Sequence, residues 1–269
     1  MFDSRAHGST GDKIYRICML GARARATSAA RAYHAHPRCE IVGVCDLVEE
    51  LRDTLSDELG VAQEHRYADL DQMIDERKPD IVAIPVATEL HHPLSMRVLK
   101  HANVSIDVEK PLCETLEQAD EVLKVISANR VLSAVHHQGR CGSSLRTIKH
   151  ALAAGRIGKL RHIIASDKGY YGGYGLMNIG THLVNNMLEI AGHVRRVAAV
   201  ATTGGRPITP HDVLPAPSGM GVIAGENITA TLSFDAGVTE DRSAPARCVF
   251  VCVCECVRAY LTCMLSSVG

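Results

Sequence analysis

Short apolar runs alternate with helix-like stretches along the first half of the chain. The apolar runs are YRICML at 15–20, EIVGVCD at 40–46, IVAIPV at 81–86 and VSIDV at 104–108, and helical patterns cover about 22–35, 47–60 and 115–129. Strands that alternate with helices predict a parallel sheet, because parallel neighbours need a long crossover between them. Together with the right-handed crossover rule, this order predicts a doubly wound α/β domain.

A second pattern lies in MNIGTHLVNNM, residues 177–187. Asn178, His182, Asn185 and Glu189 recur at intervals of four, three and four residues, which places them on one face of an α-helix. A solvated helix face would carry Lys and Glu instead. Amides and an imidazole in file are typical of a helix that lines a pocket for a hydroxyl-rich ligand, such as a sugar or polyol.

Composition limits the classes of partner. The 269 residues suffice for about two domains, and 29 basic residues balance 30 acidic ones without any basic block. This balance argues against nucleic acid or a membrane surface as a partner. No apolar run reaches the roughly 18–20 residues of a membrane span, and MFDSRAHGSTGDK lacks the apolar centre of a secretion signal. We expect a cytoplasmic protein with a flexible tail over residues 1–12.

The ten cysteines divide into two groups. Five are scattered through apolar or strand-like stretches of a large chain, where cysteines usually are buried and pack as small apolar side chains. They are Cys18, Cys39, Cys45, Cys113 and Cys141. The other five crowd CVFVCVCECVRAYLTCML, in which Cys252, Cys254 and Cys256 alternate as on one side of a strand. A metal site is the alternative there. The two closely spaced pairs of ligands that are typical of a structural zinc site are absent, so we expect no metal in this chain.

The turn after the first strand has features of a dinucleotide site. Gly21 permits a tight turn at the start of a helix whose N-terminus attracts pyrophosphate, so Gly21, Ala22 and Arg23 are candidate cofactor contacts. Asp46, at the end of the next strand, can accept hydrogen bonds from both ribose hydroxyls and repel a 2′-phosphate, which favours NAD over NADP.

The glycine fingerprint is incomplete in this loop. It reads GARARA, with Arg23 in the second glycine position and Ala26 in the third, where alanine is tolerated. Arg23 or Arg25 could pair with phosphate. On the loop alone, an ordinary strand-to-helix turn is an equally open interpretation.

Longer stretches carry a family resemblance. The pieces are IPVATELHHPLSMRVLKHANVSIDVEKPL, HHQGR, GRIGKL and NIGTH. In content and spacing they resemble the glucose-fructose oxidoreductase, inositol dehydrogenase and rhizopine-catabolism (Gfo/Idh/MocA) family over about residues 13–238. The resemblance implies an NAD(P)-binding Rossmann domain over 13–140 and an α+β substrate and oligomerisation domain over 141–269. The second domain would carry an open, mostly antiparallel sheet.

The resemblance also implies roles for individual residues. Lys110 of the Glu-Lys-Pro triplet would lie beside the nicotinamide and the substrate hydroxyl, and His182 would act as general base with Asn178 beside it. Oxidation of a secondary alcohol requires such a base near neutrality and a cation to stabilise the alkoxide. We further expect cofactor contacts from Thr88, His91, Glu109, Lys110 and Gln138, and substrate contacts from Tyr171, Asn185 and Arg140.

Two features depart from the family pattern. The family usually has Asp where this chain has Asn178, and a neutral amide cannot stabilise an imidazolium by charge, so we expect His182 to be a weaker base. The pattern holds through ENITATLSFDAGVT and changes from about residue 239. There we expect a sticky strand edge and an incomplete second domain, as in a truncated or frame-shifted product.

The upstream stretch DKGYYGGYG adds Tyr170, Tyr171 and Tyr174 on a glycine-rich loop. We expect either a pocket lid that binds sugar or tyrosines that pack a sheet edge.

Three functional hypotheses follow from these residues. The first is an NAD-dependent oxidoreductase that transfers a hydride between a sugar, a polyol or a related secondary alcohol and the nicotinamide, with a homo-oligomer as one expected form. The second is a non-catalytic nucleotide-binding or sugar-binding protein, which Asn178, Arg23 and the unusual terminus favour. The third is an NAD-dependent lyase or glycosidase of the same fold, in which no net NADH accumulates.

Overall fold

The computed structural model describes residues 13–166, 170–234, 249–253 and 261–264. The chain divides into two compact units on either side of the peptide between His136 and His137. No helix in these described ranges is both long enough and apolar enough to cross a membrane.

The first unit is a six-stranded parallel sheet with helices between its strands. In chain order its elements are β1 (Tyr15–Leu20), α1 (Ala24–His34), β2 (Cys39–Cys45), α2 (Glu49–Leu59), β3 (Arg66–Tyr67), α3 (Leu70–Arg77), β4 (Ile81–Ile84), α4 (His91–Val98), β5 (Ser105–Val108), α5 (Leu116–Asn129) and β6 (Ser133–Val135). The strand order is β3-β2-β1-β4-β5-β6, which is the Rossmann order. The predicted doubly wound domain is confirmed.

Strand β1 explains why the central strands are apolar on both faces. Successive side chains of a strand point to opposite faces. Cys18 and Leu20 pack into one buried apolar cluster, and Ile17 and Met19 pack into another. Because helices cover both faces of the sheet, the sequence here is a continuous apolar run instead of an alternating one.

The second unit is built on a mostly antiparallel sheet. Its elements are α6 (Ser143–Ala153), β7 (His162–Ser166), α7 (Gly172–Gly175), a π-helical segment (Leu176–Gly180), α8 (Thr181–Ala191), β8 (Val194–Thr203), β9 (Arg206–Pro207), β10 (Leu214–Pro215), β11 (Val222–Ile223), β12 (Asn227–Phe234), β13 (Val249–Val253) and β14 (Leu261–Met264). Strands β10 and β11 pair separately, and the main sheet has the order β14-β7-β13-β12-β8-β9. Among the strands that the structure describes in this unit, only β13 and β7 pair in parallel, so the predicted fold class is confirmed here as well.

The apolar core of the second unit lies on one face of this sheet. Leu145 and Leu152 of α6 and Met187 and Ile190 of α8 join buried residues of β7 and β12. Most side chains of β8 are exposed, so this strand adds little to that core.

One prediction about this unit was wrong, because residues 172–175, expected in a loop, form helix α7. The terminal segment was expected to form a sticky strand edge. Its strand β13 instead pairs with β12 on one side and with β7 on the other, whereas β14 lies at an edge of the sheet and pairs with β7. Cys254 and Cys256, predicted on the same strand face as Cys252, lie outside the described residues.

Candidate functional site

A cavity of about 390 Å³ opens at the carboxyl ends of β1, β2 and β4 in the first unit. Parallel sheets of this order bind ligands at this edge, where the strand order reverses. Its lining is Leu20, Gly21, Arg23, Cys45, Asp46, Leu47, Val48, Ala68, Leu70, Pro85, Val86, Ala87, Leu90, Leu94 and Arg97. The sequence-predicted residues Gly21, Arg23 and Asp46 therefore meet in one cavity.

Gly21 makes the tight turn at the inner end of this cavity. Its φ is +97°, in the left-handed region that favours glycine. A Cβ at this position would also lie 3.1 Å from Cγ1 of Val86. Its backbone N–H donates to the carbonyl oxygen of Cys45 at 2.7 Å, which joins the turn to the end of β2.

Asp46 connects the loops that follow β1 and β2. One carboxylate oxygen accepts the backbone N–H of Ala22 at 2.7 Å, and the other accepts the backbone N–H of Val48 at 2.8 Å. Two carboxylate oxygens offer about four acceptor positions, so both bonds leave capacity for the two hydroxyls of a ribose. Asp46 is thus both a ligand candidate and a support for the turn.

The two arginines of the loop have different surroundings. Arg23 is exposed at the cavity and precedes the first residue of α1, where free backbone N–H groups attract anions. Nε of Arg25 lies 3.5 Å from Oε1 of Glu109. Ala26, in the third glycine position, is fully buried, which fits a close approach of α1 to the sheet. Arg23 is therefore the better placed of the two arginines to contact a phosphate in the cavity.

Thr88 and His91, two predicted cofactor contacts, lie in the segment after β4 and are not part of the cavity lining. Both are buried, Thr88 at the start of a single 3₁₀ turn and His91 at the start of α4. The ring nitrogens of His91 lie 2.7 Å from the carbonyl oxygen of Pro111 and 3.1 Å from that of Val86. His91 thus joins the loop after β4 to the Glu-Lys-Pro turn.

The Glu-Lys-Pro turn holds a buried charged group. Oε2 of Glu109 accepts the backbone N–H of Lys110 at 3.1 Å, and Oε1 lies 3.3 Å from Nδ1 of His136. Burial would raise the pKa of Glu109, but the hydrogen bond with His136 and the charge of Arg25 lower it overall. The same hydrogen bond raises the pKa of His136. Burial, only partly opposed by the charge of Glu109, lowers the pKa of Lys110.

The second unit places His182 on the first turn of α8. Its ring lies edge to face with that of His137, with 5.3 Å between the centroids and 84° between the planes. Asn178 belongs to the π-helical segment just before, and its amide Nδ2 donates to Oη of Tyr174 at 3.2 Å. Nδ2 of Asn185 is buried and has no hydrogen-bond partner among the described residues. A buried donor of this kind needs a water or ligand acceptor.

Glu189 is the last of the four polar residues on this helix face. It forms an ion pair with Arg140. Lys149 of α6 also lies 2.6 Å from Glu189, so this end of the file ties α6 to α8. Gln138 is exposed in the 3₁₀ turn that carries Arg140. Tyr171 is partly buried and directly precedes α7, which begins at Gly172.

The scattered cysteines behave as predicted at three of five positions. Cys18, Cys45 and Cys113 are buried. Burial raises the pKa of the Cys18 and Cys45 thiols to about 12 and that of Cys113 to about 11, so these groups are inert thiols. Cys39 is partly buried, and Cys141 is exposed, contrary to the prediction. Within the described ranges, no three His, Cys, Asp or Glu residues come together in a way that could hold a metal ion.

Three residues near these sites were not identified from the sequence. His136 and His137 stand in HHQGR, and Arg97 lies on α4. The adjacent histidines were a signal, but only the fold shows that one contacts Glu109 and the other contacts His182. Arg97 has no sequence signal of its own.

Comparisons with known proteins agree with this geometry. Residues 15–137 match the family described as "Oxidoreductase family, NAD-binding Rossmann fold", the Gfo/Idh/MocA family. The uncharacterised oxidoreductase YhhX of Escherichia coli is 22% identical over 150 residues, covering 50% of this chain and 41% of its own length. The 1,5-anhydro-D-fructose reductase of Ensifer adhaerens is 34% identical over 83 residues, covering 30% of this chain and 25% of its own. The matched stretches thus span less than half of these relatives.

A solved structure extends the likeness to the second unit. The WlbA dehydrogenase of Bordetella pertussis, in complex with NADH and UDP-GlcNAcA, superposes with a TM-score of 0.71 at 19% identity. The match covers 91% of this chain and 72% of that one. At this identity the likeness concerns the fold. Over residues 15–137, the chain matches the model of the Gfo/Idh/MocA family, described as oxidoreductases with an NAD-binding Rossmann fold.

Proposed function

We propose that this protein is an NAD-dependent oxidoreductase that acts on a secondary alcohol of a sugar or polyol. The observation that carries the proposal is the cavity at the carboxyl ends of β1, β2 and β4. There Gly21 makes a tight turn just before the N-terminus of α1, and Asp46 has acceptor capacity left for a ribose. Bound NAD would supply the hydride acceptor for the reaction.

Lys110 is proposed as the cation of the reaction. Its side chain is buried, and burial lowers its pKa, which brings an ammonium closer to the range in which it can exchange a proton near neutral pH. An ammonium of this kind stabilises negative charge on a substrate oxygen. The hydrogen bond of Glu109 to the backbone of Lys110, and the contacts of His91 to Val86 and Pro111, support a positioning role for Glu109 and His91.

His182 is proposed as the general base, and Asn185 as a substrate contact. An imidazole accepts a hydroxyl proton without a large pKa shift, because its ordinary pKa is close to neutral. The buried Nδ2 of Asn185 lies one helical turn further along α8 and could donate to a substrate hydroxyl. The fold likeness to a dehydrogenase solved with NADH and UDP-GlcNAcA also supports a sugar-like substrate.

The test combines NAD binding by calorimetry with NADH formation across a panel of sugars and polyols. Lys110→Ala and His182→Ala should each remove most of the turnover and leave NAD binding largely intact. Lys124→Ala and His150→Ala, which remove an exposed lysine and an exposed histidine, serve as controls. NAD binding without turnover on any member of the panel would favour a sensor, and substrate conversion without net NADH would favour a lyase or glycosidase.

Asn178→Asp tests the base more directly. A carboxylate would stabilise the imidazolium that forms when His182 takes the substrate proton, so turnover should rise. The rise should appear in kcat and in its pH profile, with NAD affinity unchanged. If turnover is the same in Asn178→Asp, His182→Ala and the parent, the helix has only a structural role.

A further inference from the structure

Arg97 of α4 lines the cofactor cavity, yet no role assigned so far uses it. Its side chain is 37% exposed, so its charge is not buried in the core. Nε donates to Asp71 and Nη2 donates to Asp69, both at 2.7 Å. Two carboxylates at the start of α3 therefore hold the guanidinium in one orientation.

This arrangement leaves a defined part of the guanidinium available. The two carboxylates occupy donors on one edge of the planar group, whereas its two faces are not used by these bonds. A flat, delocalised cation stacks well on an aromatic ring, and the two ion pairs reduce the conformational entropy lost on stacking. Asp71 is itself held, since Nε2 of His101 lies 2.9 Å from its other oxygen.

The rest of the lining indicates which part of a dinucleotide would meet Arg97. Gly21 and Arg23 supply the phosphate end, and Asp46 supplies acceptors for the ribose. The base that follows the ribose needs an apolar slot. The remaining lining is largely apolar, with Leu70 and Leu94 coming from the same two helices, α3 and α4, that carry Asp69, Asp71 and Arg97.

We propose that Arg97 is a cofactor-binding residue whose guanidinium, held by Asp69 and Asp71, stacks on the adenine ring of NAD. The inference rests on the proposed function only in taking NAD as the ligand of this cavity. It goes further by assigning the adenine contact to a residue whose ion pairs would otherwise serve only to tie α3 to α4.

The experiment measures binding of AMP, nicotinamide mononucleotide and NAD to the parent and to Arg97→Met by calorimetry. Removing the stacked cation should weaken the binding of AMP and NAD by about 3- to 10-fold and leave the affinity for nicotinamide mononucleotide unchanged. Asp71→Asn, which loosens the guanidinium without removing it, should weaken AMP in the same direction but by less. Arg31→Met is the matched control, because Arg31 pairs with Glu58 and does not line the cavity.

Thermal melting of each variant separates this role from a structural one. Unchanged AMP affinity in a folded Arg97→Met protein would overturn the proposal. A similar loss for all three ligands, together with a lowered melting temperature, would assign Arg97 to the α3–α4 tie alone. If AMP and NAD bind and depend on Arg97 while no alcohol is oxidised, the inference stands and the proposed activity fails.

Discussion

At the scale of single residues, Asp46 links cofactor choice to loop structure. Replacing it with serine should weaken NAD binding by about tenfold or more, because one hydrogen bond to a charged acceptor contributes about 1.5–3 kcal/mol. The affinity for NADP should fall much less or should rise, since the carboxylate that repels its 2′-phosphate is gone. Calorimetry on the parent and on Asp46→Ser gives the dissociation constants of NAD and NADP, and the ratio between them should be smaller in the variant.

Asp46→Asn is the control for this prediction. The amide keeps one acceptor oxygen for the backbone N–H of Ala22 but removes the charge and the second acceptor, which the backbone N–H of Val48 uses. A shift toward NADP in both variants would assign the preference to charge. Preference for NADP in the parent protein would contradict the role given to Asp46.

His136 and Glu109 make stability depend on pH. The pKa of His136 is raised above its ordinary value of 6.5, so its contribution is complete below that value and is lost as pH rises through the raised pKa. The pKa of Glu109 is lowered below 4.5, so its contribution is complete above that value and is lost as pH falls through the lowered pKa. The pair therefore stabilises the fold most in mildly acidic solution.

His136→Gln should remove this dependence. The difference in melting temperature between the parent and the variant should be largest near about pH 6 and should shrink toward about pH 8. Thermal melting across that range is the measurement. A difference that stays constant with pH would mean that His136 contributes by packing and not by its charge.

At the scale of elements, Gly173 shows why α7 packs so closely on the chain before β12. Its backbone N–H donates to the carbonyl oxygen of Gly225 at 2.9 Å, and a Cβ there would lie 2.7 Å from the carbonyl oxygen of Ala224. Gly173→Ala should therefore destabilise the protein by about 1–3 kcal/mol, measured by denaturant unfolding.

Gly180→Ala is the matched variant within the same helical stretch. The nearest atom to its added Cβ is Cδ1 of Leu176 at 3.0 Å, the movable end of a side chain. Its cost should be clearly smaller than that of Gly173→Ala. Equal losses would contradict the role given to the close backbone contact of Gly173, because helix propensity favours alanine over glycine at both positions.

Sequence patterns predicted elements well where periodicity decides the structure. Strand β1 begins and ends at the predicted residues, and α5 begins within one residue of its predicted start because Thr115 and Gln118 form a capping box. Strand β3, at two residues, is too short to have a period. The π-helical segment was not predicted, since its composition does not distinguish i→i+5 bonding from i→i+4 bonding.

The candidate site was predictable only where one loop or one helix contains it. Gly21 and Asp46 follow from strand ends, which the apolar runs define. Arg140 was expected at a substrate, but its ion pair with Glu189 depends on how the 3₁₀ turn meets α8. Asp69 and Arg97 are 28 residues apart, and no local pattern connects such a pair.

At the scale of the whole molecule, each unit has its own apolar core, and the family match covers the first unit. The matched stretches span only 41% and 25% of the lengths of the curated relatives YhhX and 1,5-anhydro-D-fructose reductase. Cofactor binding can be tested without a substrate. A binding measurement therefore tests the cofactor site of the first unit without any assumption about the reaction.

NAD should stabilise the protein by mass action. A ligand that binds only the folded state adds about 2.7 kcal/mol at a free concentration one hundred times its dissociation constant. NADP at the same concentration should raise the melting temperature less, because Asp46 repels its extra phosphate. Amide hydrogen exchange should show NAD protection in the loops at 21–23, 46–48 and 85–90, which line the cavity and hold its turn. Equal stabilisation by both dinucleotides, or protection that misses these loops, would place the cofactor elsewhere.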